Sequence, residues 1–223
     1  MSAVSAAGTR EATAGPRSPK GHRTRARIVA AAKEIFEENG FLDARISDIS
    51  ERAGLSHGAF YHHFDSKEQV FREIAETLDD ELAEPMESVI LAPGAATEPQ
   101  ERLYTALRRH LEHYSEEARI MGVIEQVARY DEHVGAVRAK RSQRHREEIA
   151  ASIRGMQRKR IADRSVDADI AAAALASMVE RFAEMSLAQR QFDCDLDAAA
   201  ETLAALFVNG LKLKDAPARS TGR

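Results

Sequence analysis

Apolar residues recur at steps of three and four through almost the whole of this 223-residue chain, which restricts its fold more than any other feature. One such stripe lies in the first quarter of the chain and is formed by Ile28, Val29, Ala32, Ile35 and Phe36. The alternation of apolar and polar residues that marks β-strands is missing throughout. The sequence therefore predicts an all-α protein of about nine helices.

The first three helices are predicted to be unequal in length. The longest covers residues 23–39 and ends at an Asn-Gly pair, which suits a helix C-terminus. A short second helix stops at Gly54, and Ser56 offers a capping oxygen to a third helix that runs to about Phe64.

A fourth helix is expected to begin after a cap on Asp65 or Ser66 and to weaken near Pro85, because proline cannot donate an interior hydrogen bond. Residues 92–99 are predicted to form a loop. The remaining helices are expected over residues 100–115, 117–129, 131–159, 167–190 and 195–213.

Composition separates both ends of the chain from its centre. Residues 1–21 are dominated by Ser, Ala, Gly, Thr and Pro, and residues 215–223 are similar, so both segments are predicted to be disordered. The single cysteine, Cys194, favours a reducing cytoplasm, and no apolar run is long enough to span a membrane.

The net charge of -4 is distributed unevenly along the chain. Residues 1–27 hold six basic residues and one acid, a net charge of +5, so the rest of the chain carries -9. A basic arm ahead of an acidic body suits contact with a polyanion, although a solvated basic tail would have the same composition.

The stretch AGLSHGAFYHHF, residues 53–64, holds three histidines and follows a short helix. A short helix, a turn on Gly54 and a second short helix form the helix-turn-helix pattern, whose second helix enters the DNA major groove. Phe60 and Phe64, one turn apart, are expected to point inward. His57, Tyr61 and His62 are then left on the outer faces.

The stretch GLSHGAFYHHFDSKEQVF, with FEENGF and SDISERAG upstream, resembles the signature of the tetracycline-repressor (TetR) family over about residues 23–82. The matching residues are Gly54, Ser56, Gly58, Phe60, Tyr61, His63, Phe64, Ser66, Lys67 and Glu68. The resemblance implies a helix-turn-helix domain over 22–82 and an effector-binding and dimerisation domain over 83–214. It also implies a transcriptional regulator, most often a repressor, that has no catalysis and no cofactor.

By the same resemblance, Tyr61 and Lys67 grip phosphates, and His57 and His62 are candidates for base reading. Two departures concern Arg45, where the family often has Thr or Ser, and Ala59, where it often has Thr. The predicted DNA-binding residues are Arg25, Arg45, Ser47, Ser56, His57, Gly58, Ala59, Tyr61, His62 and Lys67.

The three arginines at positions 23, 25 and 27 are expected to precede the first helix. From there they could meet phosphates or a minor groove. An arm that makes no contact would have the same sequence.

The partners implied are double-stranded operator DNA, a second copy of the chain and a small, largely apolar effector. The last two helices are rich in Ala and Leu, which permits the close approach that a dimer interface needs. The residues expected to bind the effector are Leu107, His110, Met121, Glu125, Tyr130 and Phe182, although each could equally be an ordinary core residue.

Several alternatives stay open. His62 and His63 point about 100° apart on a helix and cannot share one metal ion, whereas His110 and His113 are spaced to share a face. A helical metal-binding protein or enzyme that uses His110 and His113 is therefore the alternative function. Cys194 could sense redox state, and the basic run over 138–148 could contact nucleic acid or be a solvated helix face.

Overall fold

The structure is a computed structural model that describes residues 18–90 and 99–214, except for the side chains of 79–90 and 99. In these ranges the chain forms nine α-helices and no β-strand, which confirms the predicted all-α class. The helices are α1 (Pro19–Asp43), α2 (Ile46–Arg52), α3 (His57–Phe60), α4 (Lys67–Ile90), α5 (Pro99–Glu116), α6 (Ala118–Val127), α7 (Glu132–Arg158), α8 (Ala168–Ala183) and α9 (Leu196–Gly210). A π-helical turn, Glu184–Ala188, extends α8.

Helix α1 begins earlier than predicted. The Ser18 side chain accepts a hydrogen bond from the Gly21 N–H at 3.1 Å, and Pro19 stands at the first helical position, where its fixed φ is favourable. Residues 19–21, predicted to be disordered, are therefore helical. The arginines within 23–27 lie inside α1 and not ahead of it.

The predicted stops and caps in the rest of this region are confirmed, with two exceptions. Gly40 breaks the helical path with a φ of +73°, and the Ser66 side chain accepts from the Gln69 N–H at 3.3 Å at the start of α4. The exceptions are α3, which ends at Phe60 and not near Phe64, and Pro85, which α4 passes to reach Ile90.

Helix α4 therefore belongs to both predicted domains, since the predicted boundary between residues 82 and 83 falls within it. A single contiguous cluster of buried apolar residues includes side chains from all nine described helices. Helix α5 packs against α4 and α9, and α6 packs against α1. The helix-turn-helix thus shares its core with the helices that follow.

A second, smaller apolar cluster lies between α7 and α8 and includes Ile149, Ile153, Ala172 and Ala176. The predicted disorder of residues 1–17 and 215–223 and the predicted loop, apart from Pro99 at the start of α5, lie outside the described residues. None of the described helices is both long enough and apolar enough to cross a membrane.

Polar contacts tie the first helices to the later ones. Arg72 on α4 donates to the Asp131 carboxylate at 3.0 Å, and Asp131 also caps α7 by accepting from the Val134 N–H at 2.9 Å. Lys33 on α1 forms an ion pair with Glu117, the residue before α6. These contacts connect α7 to α4 and the start of α6 to α1.

Replacing Asp131 by alanine is expected to lower the free energy of unfolding by about 0.5–2 kcal/mol at neutral pH, because α7 loses its N-cap. Burial alone raises the pKa of Asp131, but the hydrogen bonds from Val134 and Arg72 and the Arg72 charge outweigh it and lower the pKa. The stabilisation is therefore complete above about pH 4 and is lost as pH falls through the lower pKa of the folded state. Urea unfolding of both proteins at several pH values measures this, and a difference that does not shrink as the pH is lowered below about 4 would contradict it.

Candidate DNA-binding surface

Five phenylalanines anchor the helix-turn-helix. Phe60 and Phe64 are fully buried beneath α3, which confirms the inward orientation predicted from their spacing. Phe71 on α4 contacts Phe36 and Phe41, with ring centroids 5.2 and 4.8 Å apart. Helix α3 therefore packs on a cluster of buried aromatic rings.

The outer face of α3 carries the side chains that are free to meet another molecule. His57, Gly58 and His62 are exposed, Ala59 is half-buried, and Tyr61 is 48% exposed. Helix α3 is shorter than predicted, since the residues after Phe60 form a turn.

His57 and Tyr61 stand together on this face. Their ring centroids are 5.4 Å apart in an edge-to-face arrangement. The Ser56 side chain accepts from the Ala59 N–H at 3.3 Å, which fixes the first turn of α3 and confirms the predicted cap. The imidazole of His57 thus lies beside the ring of the exposed Tyr61.

The turn between α2 and α3 requires glycine. Gly54 has a φ of +64°, a conformation that costs energy in other residues. A Cβ atom there would lie 3.0 Å from Nη2 of Arg27, and that guanidinium donates to the Ala53 carbonyl oxygen. The angle between the two short helices is therefore fixed from both sides of the turn.

Arg45 and Ser47 lie exposed at the start of α2. Arg45 is the N-cap residue and its side chain makes no capping hydrogen bond, while the Ser47 hydroxyl donates to the Asp48 carboxylate at 2.9 Å. The Arg45 guanidinium has no hydrogen bond or ion pair with the described residues. Its charge is available at the surface.

Lys67 and Arg25, both predicted to bind DNA, make contacts within the protein. The Lys67 ammonium donates to the carbonyl oxygens of Phe41, Leu42 and Ala44 at 2.8, 2.9 and 2.9 Å. These bonds occupy all three of its N–H donors.

Arg25 pairs with Glu73 on α4 and donates to the His63 carbonyl oxygen at 2.7 Å. Its guanidinium carbon lies 3.9 Å from the centroid of the Phe64 ring. Burial, the Arg25 charge and the charge of His62 lower the pKa of His63, which favours a neutral imidazole. Arg25 is thus part of the support for the end of α3.

A sequence profile of bacterial regulatory proteins of the tetR family matches residues 28–74, which hold all of α2 and α3. Over these residues, about a fifth of the chain, the sequence is similar to the TetR family. The HTH-type transcriptional regulator YdgC of Bacillus subtilis, which is uncharacterized, is 37% identical over 79 residues, or 35% of this chain and 40% of that protein. The chain therefore matches less than half the length of that relative.

Solved structures extend the likeness to the other helices. A TetR-family transcriptional regulator from Mesorhizobium loti aligns with a TM-score of 0.72 at 19% identity, over 86% of this chain and 98% of that one. SmeT, the repressor of the Stenotrophomonas maltophilia multidrug efflux pump SmeDEF, aligns with a TM-score of 0.68 at 21% identity, over 86% and 91%. At these identities the likeness shows that the chain has the fold of these two proteins.

The residues predicted to bind an effector are only partly brought together in the structure. Leu107, His110 and Met121 are buried in the main core. Phe182 packs against Phe192 with ring centroids 5.8 Å apart.

Two residues that were predicted to offer polar groups to an effector have other surroundings. Glu125 on α6 forms an ion pair with Arg138 on α7. Tyr130 is 54% exposed, because it lies in the turn between α6 and α7, so it does not line the interior as predicted.

The sequence-based prediction missed Tyr114, which is only 5% exposed and lies on the same face of α5 as Leu107 and Leu111. Its hydroxyl, like Nη1 of Arg138, is buried and meets no hydrogen-bond partner among the described residues. The spacing of 107, 111 and 114 was the available signal, since these positions share one side of a helix.

Two surface grooves lie away from these residues. One, of about 660 Å³, runs between α5 and α9 and includes Tyr104, Glu201 and Thr202. The other, of about 760 Å³, runs between α1 and α4 and includes Val29 and Leu78. Neither contains a residue predicted to bind the effector.

No group of three or more His, Cys, Asp and Glu residues in the described part of the chain could hold a metal ion. His113 lies on α5 with its Nδ1 atom 3.6 Å from the Glu116 carboxylate. The His110 ring lies beside Tyr114, with centroids 6.5 Å apart.

Proposed function

We propose that this chain is a TetR-family transcriptional regulator. It represses transcription by binding a roughly palindromic operator as a homodimer, and a small, largely apolar effector releases it. The observation that carries the proposal is the outer face of α3, where His57, Tyr61 and His62 are exposed above buried Phe60 and Phe64. Such a helix can enter a major groove while its other face remains in the core.

The residues on and beside this face fall into two groups, those suited to phosphate oxygens and those suited to base edges. The exposed Arg45 guanidinium and the Tyr61 hydroxyl suit phosphate oxygens, which fix register without reading sequence. The imidazoles of His57 and His62 suit base edges. The acidic remainder of the chain limits further contact with the polyanion.

The proposal of a homodimer is supported by apolar side chains exposed on the last two helices. Ile170 on α8 is 71% exposed and Leu206 on α9 is 49% exposed. The small residues around them allow helices of a second copy to approach closely. A two-fold dimer would set two α3 helices about 34–36 Å apart, the length of one turn of DNA.

The effector site proposed here is the region around Tyr114, between α5, α6 and α7. Leu107 and Met121 supply apolar surface, and the unpartnered Tyr114 hydroxyl and Arg138 Nη1 offer two donors. A ligand with one acceptor group and an apolar body fits this chemistry. Entry requires the core helices to part, and such movement would reach α1 and α4 through Lys33–Glu117 and Arg72–Asp131.

Fluorescence anisotropy with labelled DNA from upstream of the gene tests the proposed function. Specific binding should show a stoichiometry of two chains per site and weaken steeply as salt rises, since each phosphate contact releases counterions. Binding that is absent or independent of salt would rule the proposal out.

Replacing His57 by alanine is expected to change the preferred operator sequence by about 1–3 kcal/mol per affected base pair, because a base-reading group is lost. Tyr61→Phe is the control: it keeps the ring that contacts His57 and removes only the hydroxyl, so it should weaken binding to all sequences alike. Competition binding with a library of operator variants measures both. Equal loss of specific and nonspecific binding in His57→Ala would show that its assigned role is wrong.

A further inference from the structure

Three cationic side chains in the helix-turn-helix region donate hydrogen bonds to backbone carbonyl oxygens at or just after the C-terminal ends of its helices. Lys67 meets the carbonyls of Phe41, Leu42 and Ala44 at the end of α1, beyond the break at Gly40. Arg27 meets the carbonyl of Ala53 at the end of α2, and Arg25 meets that of His63 just after α3. Each segment of the helix-turn-helix is thus closed by a positive charge from a distant part of the sequence.

The physical reason lies in the ends of helices. The last carbonyls of a helix have no partner within it and carry partial negative charge. A lysine ammonium has three donors and no acceptor, so it can satisfy three carbonyls that converge on one point. The Phe41 ring lies on the remaining side, with its centroid 4.9 Å from the Lys67 nitrogen.

We propose that Lys67 is a positioning residue for DNA binding and contacts no phosphate, and that Arg25 and Arg27 act in the same way at α3 and α2. The proposal rests on the proposed function, because it concerns how the same surface is held. Each N–H donor of Lys67 is within 2.9 Å of a backbone oxygen, so none is left for DNA.

The effect on the surface passes through Arg45. Lys67 fixes the carbonyl of Ala44, and the next residue is Arg45, the N-cap of α2 and the exposed charge beside α3. At the other end, Arg25 and Glu73 hold the chain where it leaves α3. Loss of these contacts should change the position and orientation of α2 and α3 without removing any side chain that contacts DNA.

Two charge-removing variants separate positioning from contact. Lys67→Met and Arg45→Met each remove one positive charge from the same domain, so their effects at long range are alike. In a plot of the logarithm of the binding constant against that of salt concentration, each phosphate contact contributes about 0.9 to the slope. Arg45→Met should reduce the slope by about that amount for each phosphate that the Arg45 guanidinium neutralises.

Lys67→Met should leave the slope unchanged, while specific binding becomes weaker by about 10-fold or more because the carbonyls lose a charged donor. A reduction of the slope as large as that of Arg45→Met overturns the proposal. Circular dichroism establishes that each variant is folded at the assay temperature.

If Lys67→Met is unfolded, Lys67→Arg, which keeps the positive charge, distinguishes a positioning role from a phosphate contact. Arginine binds phosphate at least as well as lysine, but its planar fork cannot place donors on three converging carbonyls. Positioning therefore predicts weaker specific binding in Lys67→Arg, and near-native binding overturns it. If the unaltered protein and Arg45→Met show no salt-dependent binding, the proposed function itself has failed, a result distinct from a changed slope in Lys67→Met alone.

Discussion

Replacing Phe71 by alanine is expected to lower the free energy of unfolding by about 3–5 kcal/mol, the usual cost of removing a fully buried phenylalanine. Phe71 is 1% exposed and contacts both Phe36 and Phe41, so its removal leaves a cavity lined by two other rings. The cost is a large fraction of the stability of a typical domain. Thermal and urea unfolding followed by circular dichroism measure it.

Phe192→Ala is the matched control, because the same atoms are removed from a side chain that is 41% exposed. Its cost should be about 1 kcal/mol or less, since little area returns to water. Equal losses in the two variants would mean that the aromatic cluster is not the base on which α3 rests.

Replacing Tyr114 by phenylalanine is expected to raise the free energy of unfolding by about 1–3 kcal/mol, because a buried hydroxyl without a partner is removed. Tyr104→Phe is the control, since the Tyr104 hydroxyl donates to the Asp197 carboxylate at 3.0 Å and its removal should give no gain. A loss of stability in Tyr114→Phe would indicate that its hydroxyl is bonded, for example to water.

The pH dependence provides a second measurement for Tyr114. Burial, and then the Glu125 charge, raise the pKa of the Tyr114 hydroxyl. Above about pH 10 an unfolded tyrosine ionises while the folded one keeps its proton, so stability falls as pH rises towards the higher pKa of the folded state. The fall should be smaller in Tyr114→Phe, and an identical alkaline profile would argue against a buried hydroxyl.

The fold could be predicted from the sequence because its signals are local. Helical spacing, the glycine stops and the serine caps lie within a few residues of the structure they determine, as at Gly54 and Ser56. The inward orientation of Phe60 and Phe64 follows from the same spacing.

The contacts of Lys67 and Arg25 could not be predicted, because the partners are remote in sequence. The carbonyls that Lys67 meets lie 23 to 26 residues away, and the Arg25 partner Glu73 lies 48 residues away. A helix end and a phosphate both attract a cation, so the residue type alone does not distinguish them.

The effector residues are harder to predict for a different reason. The spacing of apolar residues in the sequence shows which side chains face the core. It does not show which buried polar groups lack a hydrogen-bond partner. Tyr130 is predicted to face the interior although it lies in an exposed turn, and Tyr114 is not predicted although it shares a helix face with Leu107. Satisfaction of buried hydrogen bonds depends on neighbours from other helices.

The 24 residues of α4 make a rod about 36 Å long, at about 1.5 Å per residue. Lys67 lies at one end of this rod and Arg72, only five residues on, joins it to the start of α7. A tilt of about 6° about the far end would carry the Lys67 end through about 4 Å, since displacement grows with length. In the proposed dimer, two such displacements in opposite directions would change the distance between the two α3 helices by twice this amount. A small rotation would then be enough to stop both helices from fitting successive major grooves.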